Sequence, residues 1–162
     1  MDEDRLIQRD RMRFIKNSIS ANLAILAIVF NVFYFVSIYR SNAGTFYYNY
    51  LIGISVVYNL IFMLAAFLSS EGVKNYKKNY SYLLVALGVG QIIRIFILPA
   101  RAHGAVYASG GAELAVMGDK QYLTLLVLLI VSAACLIGSA VTNYIKCSIL
   151  EAHMKTLAEE SV

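Results

Sequence analysis

The sequence predicts an all-α polytopic membrane protein, a bundle of four transmembrane helices with both termini cytoplasmic. Three observations predict it. Of 162 residues, 59% are hydrophobic and 15% are charged, whereas soluble domains have about 45–50% and about 25%. The apolar residues are gathered into four runs, each near the roughly 20 residues that a helix needs to cross the hydrocarbon. Ten of the fourteen Lys and Arg residues flank the runs on one side. This composition excludes a disordered chain, a secreted disulfide scaffold and an ordinary cytosolic enzyme.

The chain divides into an N-terminal segment (1–17), a transmembrane domain (18–145) and a C-terminal tail (146–162). The N-terminal segment starts with Asp2, Glu3 and Asp4, which suit a helix N-terminus. Leu6, Ile7, Phe14 and Ile15 then give a sparse apolar face beside the arginines, as expected of a helix lying on the membrane surface. The first span, Ser18–Tyr39, is interrupted only by Asn22 and Asn31. It is longer than the apolar core of a signal peptide and reads as a retained anchor. The second span runs over about Tyr50–Ser70. The third, about Tyr82–Pro99, contains Gln91 and Arg94, and Pro99 should end it. The fourth, Tyr122–Tyr144, is the most uniformly apolar. None of the runs alternates polar with apolar residues, as a membrane strand would. A lipid-embedded backbone must satisfy its own hydrogen bonds, so each run should be helical. The tail over 146–162 should prolong the fourth helix, with Ile149, Leu150, Met154 and Leu157 on one side.

Orientation follows from the basic residues. Arg5, Arg9, Arg11, Arg13, Lys16, Lys74, Lys77, Lys78, Lys146 and Lys155 mark the cytoplasmic side. The opposite loops hold only Arg40, Arg101 and Lys120. Tyrosines gather at both boundaries, where an apolar ring with a wet hydroxyl is favoured. The net charge of +4 is therefore an orientation signal, and no nucleic-acid partner is implied. The expected partners are the lipid bilayer and either other membrane subunits or further copies of the chain.

The longest loop, about Ala100–Gln121, carries Gly104, Gly110, Gly111 and Gly118. It reads as a flexible connection, or as a segment that dips into the outer leaflet or caps a cavity. Cys135 falls inside the fourth span and Cys147 at its cytoplasmic edge. Twelve residues of one helix separate them, which argues against a disulfide. A packed thiol is the simpler reading of Cys147, and juxtamembrane palmitoylation the sharper one. Asn79-Tyr80-Ser81 matches a glycosylation sequon but faces the cytoplasm in this topology.

The chain also carries traces of an internal repeat. Val73-Lys74-Asn75-Tyr76-Lys77-Lys78 resembles Val141-Thr142-Asn143-Tyr144-Ile145-Lys146, and Ala65-Ala66 falls opposite Ala133-Ala134 at the same spacing. A second spacing sets Asn31 opposite Gln91 and Gly44 opposite Gly104. Two parallel helical hairpins, as in some transporters, would produce this pattern. Biased membrane composition would also produce it.

The candidate site is an intramembrane polar cluster of Asn31, Asn59, Gln91 and Arg94. Each amide lies about ten residues from the outer boundary, roughly 15 Å at the helical rise, so three spans bring an amide to a common depth. Arg94 lies one turn outward of Gln91, and Tyr34 and Tyr58 share the depth. In one reading the amides join helices and Arg94 snorkels to the outer headgroups. In the other they line a polar cavity and Arg94 receives an anionic group. Small residues such as Ala86/Gly90 and Ala134/Gly138 permit close helix contact.

No Asp or Glu lies inside any span, which disfavours a proton-coupled exporter. His103 and His153 fall on opposite sides of the membrane, so no shared metal or haem is expected. There is no paired-cysteine motif, HExxH or phosphate loop. The sequence thus implies no catalytic residues, metal or cofactor, and predicts a non-enzymatic integral membrane protein. The expected role is a small subunit or accessory factor of a membrane assembly. The alternative is a small homo-oligomeric transporter or channel, with a polar site around Arg94 for an anionic solute.

Overall fold

The computed structural model describes residues 16–38, 46–109 and 112–160. Except for Lys16 and Asn17, the surface helix expected over 1–17 lies outside them, as do Arg40 and Gly44.

Four long helices dominate: α1 (Ser18–Ile38), α2 (Phe46–Lys74), α3 (Asn79–Ile97) and α5 (Asp119–Glu160). All four are long and apolar enough to span a bilayer, which fits a multi-pass membrane protein. α3 ends at Ile97, and Pro99 opens the one-turn helix α4 (Pro99–Ala102). Proline is suited to that position because a first-turn N–H has no helical partner. α5 has 42 residues, roughly 63 Å at 1.5 Å per residue. It is continuous from the fourth apolar run into the polar tail.

The long loop contains a short antiparallel hairpin, β1 (Val106–Ser109) with β2 (Ala112–Ala115), in the register Val106↔Ala115 through Ser109↔Ala112. Its base is anchored by the Val116 N–H donating to the Ala105 carbonyl at 2.9 Å. Val116 and Met117 are buried against Leu98, Ala102, Leu125 and Leu129. The segment just after the hairpin therefore closes one end of the bundle; we call this the hairpin end, and the opposite one the terminal end.

Around the bundle, α1 packs on α2 and α5, and α3 packs on α5. The contact between α2 and α3 is the slightest of the four. α1 is the hub because its buried face is made of small residues, Ala21, Ala24 and Ala27. Without side chains in the way, hydroxyls of neighbouring helices reach its backbone. Ser139, Ser70 and Ser132 donate to the carbonyls of Ser20 (2.6 Å), Ala21 (3.3 Å) and Ala27 (3.0 Å).

The interior is layered. An apolar cluster built on Ala24, Phe62, Ala66, Leu84 and Leu136 fills the terminal half. A second, on Tyr34, Ile38, Leu98, Leu125 and Leu129, fills the hairpin half. Large apolar side chains on the outer faces, such as Phe33, Leu64, Ile93 and Val127, are exposed. In a bilayer they meet lipid.

The repeat spacing of the sequence is only half matched by burial. At the Asn31/Gln91 spacing the buried faces of α1 and α3 coincide, with Ala21/Ser81, Ala24/Leu84 and Tyr34/Arg94 all buried. At the Ala65/Ala133 spacing the faces of α2 and α5 do not coincide, since Leu68 is exposed where Leu136 is buried. Shared packing therefore supports the repeat for α1 and α3 and not for α2 and α5.

Candidate functional site

The interface between the two apolar layers is polar. Asn31 on α1, Asn59 on α2, and Gln91 and Arg94 on α3 are all buried and meet there. The Asn31 Nδ2 donates to Asn59 Oδ1 at 3.1 Å, and the Gln91 Nε2 donates to Asn31 Oδ1 at 3.0 Å. Arg94 completes the set. Its Nη1 donates to Asn59 Oδ1 at 2.8 Å and to Asn31 Oδ1 at 3.2 Å. All four residues singled out in the sequence thus form one connected cluster.

Arg94 does not snorkel. It is 5% exposed and turns into the bundle rather than towards the helix end. The reason lies in what surrounds it. Its Nη2 donates to Ser55 Oγ at 2.8 Å. Its guanidinium carbon lies 4.2 Å from the centre of the Tyr34 ring and 4.9 Å from that of Tyr58. Two aromatic faces and three oxygen acceptors replace the water that a headgroup region would supply. Every one of these partners is neutral. The carboxylates of Glu71, Glu151 and Asp119 pair instead with Lys74, Lys78 and His103, at the ends of the bundle.

The cluster is also incompletely satisfied. The Asn59 Nδ2 and the Gln91 Oε1 are buried without a hydrogen-bond partner, whereas the Tyr34 hydroxyl lies within reach of Ser55 and Arg94. Buried polar groups are normally paired, so two orphans at one place need an explanation. The Asn59 Nδ2 is a donor, and it lies beside a fixed positive charge. That combination suits an anionic group.

A cleft of about 170 Å³ reaches this cluster from the side. It lies between α2 and α3, the slightest contact of the bundle, and Arg94, Ser55 and Tyr58 form its polar wall. Gly90 lets the Tyr58 hydroxyl lie close against α3, because a Cβ there would stand 2.8 Å from it.

The sequence reading missed two members, Ser55 and Ser132. Ser55 was legible in principle, since it lies one helical turn from Asn59. Ser132 accepts from Gln91 Nε2 at 3.3 Å. Its run of small residues signalled packing, and nothing in the chain marked it as a hydrogen-bond partner.

A second polar cluster, at the terminal end, was missed altogether. The Asn17 Nδ2 donates to Asn143 Oδ1 at 3.0 Å and to Ser20 Oγ at 2.9 Å. The Asn143 Nδ2 donates to Ser81 Oγ at 2.8 Å and to the Lys77 carbonyl at 3.3 Å. Lys146 Nζ donates to Asn17 Oδ1 at 3.0 Å. The Cys147 thiol, also buried, donates to the Tyr76 carbonyl at 3.2 Å, which favours the packed thiol over a lipidated one. Tyr76 itself has φ of 55°, a left-handed conformation that turns the chain sharply between α2 and α3.

No family model, curated protein or solved structure matches the chain. Among the described residues no group of three His, Cys, Asp or Glu side chains could hold a metal ion.

Proposed function

We infer that this chain is a non-enzymatic, multi-pass membrane protein that binds an anionic group at Arg94 inside its helix bundle, and that it acts as a small transporter or carrier for that group. The observation that carries this reading is Arg94 itself, 5% exposed and surrounded by neutral partners. Burying an arginine within a membrane helix is costly, by up to about 2.5–3.5 kcal/mol at the helix centre on the insertion scale and by less towards the end, where Arg94 lies. A leucine would fold the same helix more easily. Retaining a charge there makes sense if something outside the chain uses it. The inward direction of Asn31, Asn59 and Gln91 supports the same reading, because amides serving a partner helix would face outward. The basic termini and inter-helix turn remain our reason for placing the terminal end in the cytoplasm.

The test is anion-dependent flux in reconstituted vesicles, with wild type, Arg94→Met and Arg94→Glu compared at equal insertion. We expect flux of at least one anionic solute class to disappear in both variants. Wild-type flux in the charge reversal would refute the reading.

A second reading, that of a subunit in a larger membrane assembly, is favoured by a different feature. The outer face of α2 carries an open groove of about 730 Å³ around Gly53, lined by Asn49, Tyr50, Ile54, Val57, Tyr58 and Ile61. A Cβ at Gly53 would meet nothing within 4 Å, so a helix of another chain could approach closely. A stoichiometric foreign subunit found by native mass analysis of gently extracted protein would favour it.

A further inference from the structure

The cleft between α2 and α3 restricts what the anionic group can be. Beyond Arg94, Ser55 and Tyr58, its walls are Leu51, Ile54, Gly90, Ile93, Ile97 and Leu98. Ile54, Ile93 and Ile97 are also exposed on the outer surface of the bundle. In a bilayer the mouth of the cleft is therefore framed by lipid-facing side chains. A soluble anion would have to cross that apolar rim, whereas a molecule already in the membrane would not.

Depth points the same way. Arg94 lies four residues before Leu98 at the end of the helix, roughly 6 Å along the axis. A headgroup need sink only about one helical turn to reach it. Size restricts the choice further. The cleft holds about 170 Å³, the liquid volume of about six waters at roughly 30 Å³ each. That accommodates a carboxylate and the first methylenes of one chain.

We propose that Arg94 binds the carboxylate of a single-chain amphiphile, such as a fatty acid, that enters sideways from the bilayer between Ile54 and Ile93. The carboxylate takes the Nη2 edge of Arg94 that Ser55 now occupies, and the guanidinium offers it the two-pronged geometry that carboxylates favour. The chain leaves between the two isoleucines into lipid. This proposal rests on the anion-binding reading above and adds to it the source of the ligand and its class.

The chain contains no tryptophan, so one introduced residue gives an uncontested fluorescent reporter. Full-length protein carrying Ile97→Trp, at the cleft mouth, is reconstituted in vesicles and titrated with a vicinally dibrominated stearate, a quencher that dissolves in the bilayer. Val127→Trp, on an exposed face of α5 away from the cleft, is the control for quenching by free lipid. Iodide, a soluble anionic quencher, forms the second arm.

The expected result is saturable quenching at position 97, displaced by oleate, against linear and undisplaced quenching at position 127. Adding Arg94→Met should weaken the saturable phase by about tenfold or more, the loss expected of one charge-assisted pair. Ile54→Phe, which narrows the mouth while leaving Arg94 in place, should weaken it as well, so the result does not hang on one variant. Saturable quenching that ignores Arg94→Met overturns the proposal, for the cleft is then only greasy. Arg94-dependent quenching by iodide without saturable quenching by the stearate overturns it too, yet leaves the anion-binding reading standing. Failure of both quenchers removes both.

Discussion

The two polar clusters of the bundle are built from the same amides and serines, yet they are organised differently. At the terminal end, Asn17 and Asn143 use both amide hydrogens and both carbonyl oxygens on each other and on Ser20, Ser81, Lys146 and the Lys77 backbone. No atom there is left over. Between the apolar layers, Asn31, Asn59 and Gln91 are joined just as directly, but the cation there, unlike the half-buried Lys146, is fully buried, and two amide atoms have no partner. A closed network holds helices together and leaves nothing for a ligand to do. An open network with an unneutralised cation is poor glue, and its surplus is a binding capacity. The first cluster therefore reads as a clamp and the second as a site.

That contrast is most exposed to Asn143→Leu. The substitution removes bonds to α1, α3 and the turn before α3, at about 0.6 kcal/mol each in membrane bundles, and strands Asn17 and Ser81. We expect a loss of about 2 kcal/mol in unfolding measured in detergent or bicelles. A loss well below 1 kcal/mol would mean that the clamp holds little.

Arg94→Lys comes next. An ammonium cannot reach Ser55 and both amide oxygens together or stack between two rings, yet it keeps the charge buried. A loss of about 1–2 kcal/mol is expected in the same assay. Snorkelling would have made this exchange nearly silent, so a silent result would put the guanidinium outside the bundle.

Arg94→Met should be milder than Arg94→Lys, although it is chemically the larger change. Asn31 Oδ1 keeps its bond from Gln91, and Asn59 Oδ1 keeps its bond from Asn31. Only Ser55 loses its donor, and the desolvated charge disappears. Stability within about 1 kcal/mol of wild type is expected, in line with apolar replacement of other buried ions. Should Arg94→Met unfold the protein as readily as Asn143→Leu, the guanidinium is a second clamp and the contrast disappears.

The smallest effect belongs to Lys78→Ala. The hydrogen bond to Glu151, 3.1 Å away, raises the Lys78 ammonium above its usual value. Any help it gives is complete at neutral pH and fades only as pH climbs through that raised value. Exposed pairs contribute little, so unfolding at neutral pH should be unchanged within error. A clear shift would show that α5 is held to the α2–α3 turn by charge as well as by the amide clamp.

The sequence yielded the Arg94 centre because its members interrupt otherwise apolar runs at a common depth, which arithmetic along each helix exposes. The terminal clamp escaped the same arithmetic. Asn17 and Asn143 fall at the ends of their runs, where polar residues are expected anyway, and nothing in the chain distinguishes an amide facing water from one facing another helix. Ser55 and Ser132 were hidden for a related reason, since small hydroxyl residues are ordinary in membrane helices. The loop over 100–121 showed glycines and short apolar stretches but no alternation strong enough to mark strands. Its hairpin is stabilised by Val116 and Met117 burying into a bundle end that only the assembled helices create.

Length, hydropathy and the depth of four polar residues were therefore settled one helix at a time, because each depends on the chain's own neighbours and the thickness of a bilayer. Which way those residues face was not. Arg94 could have climbed to the headgroups. It turns inward because α1 and α2 bring two amide oxygens, a serine and two aromatic rings within reach at once. A side chain at that depth follows whichever surroundings best replace water, and those surroundings exist only after the helices have packed.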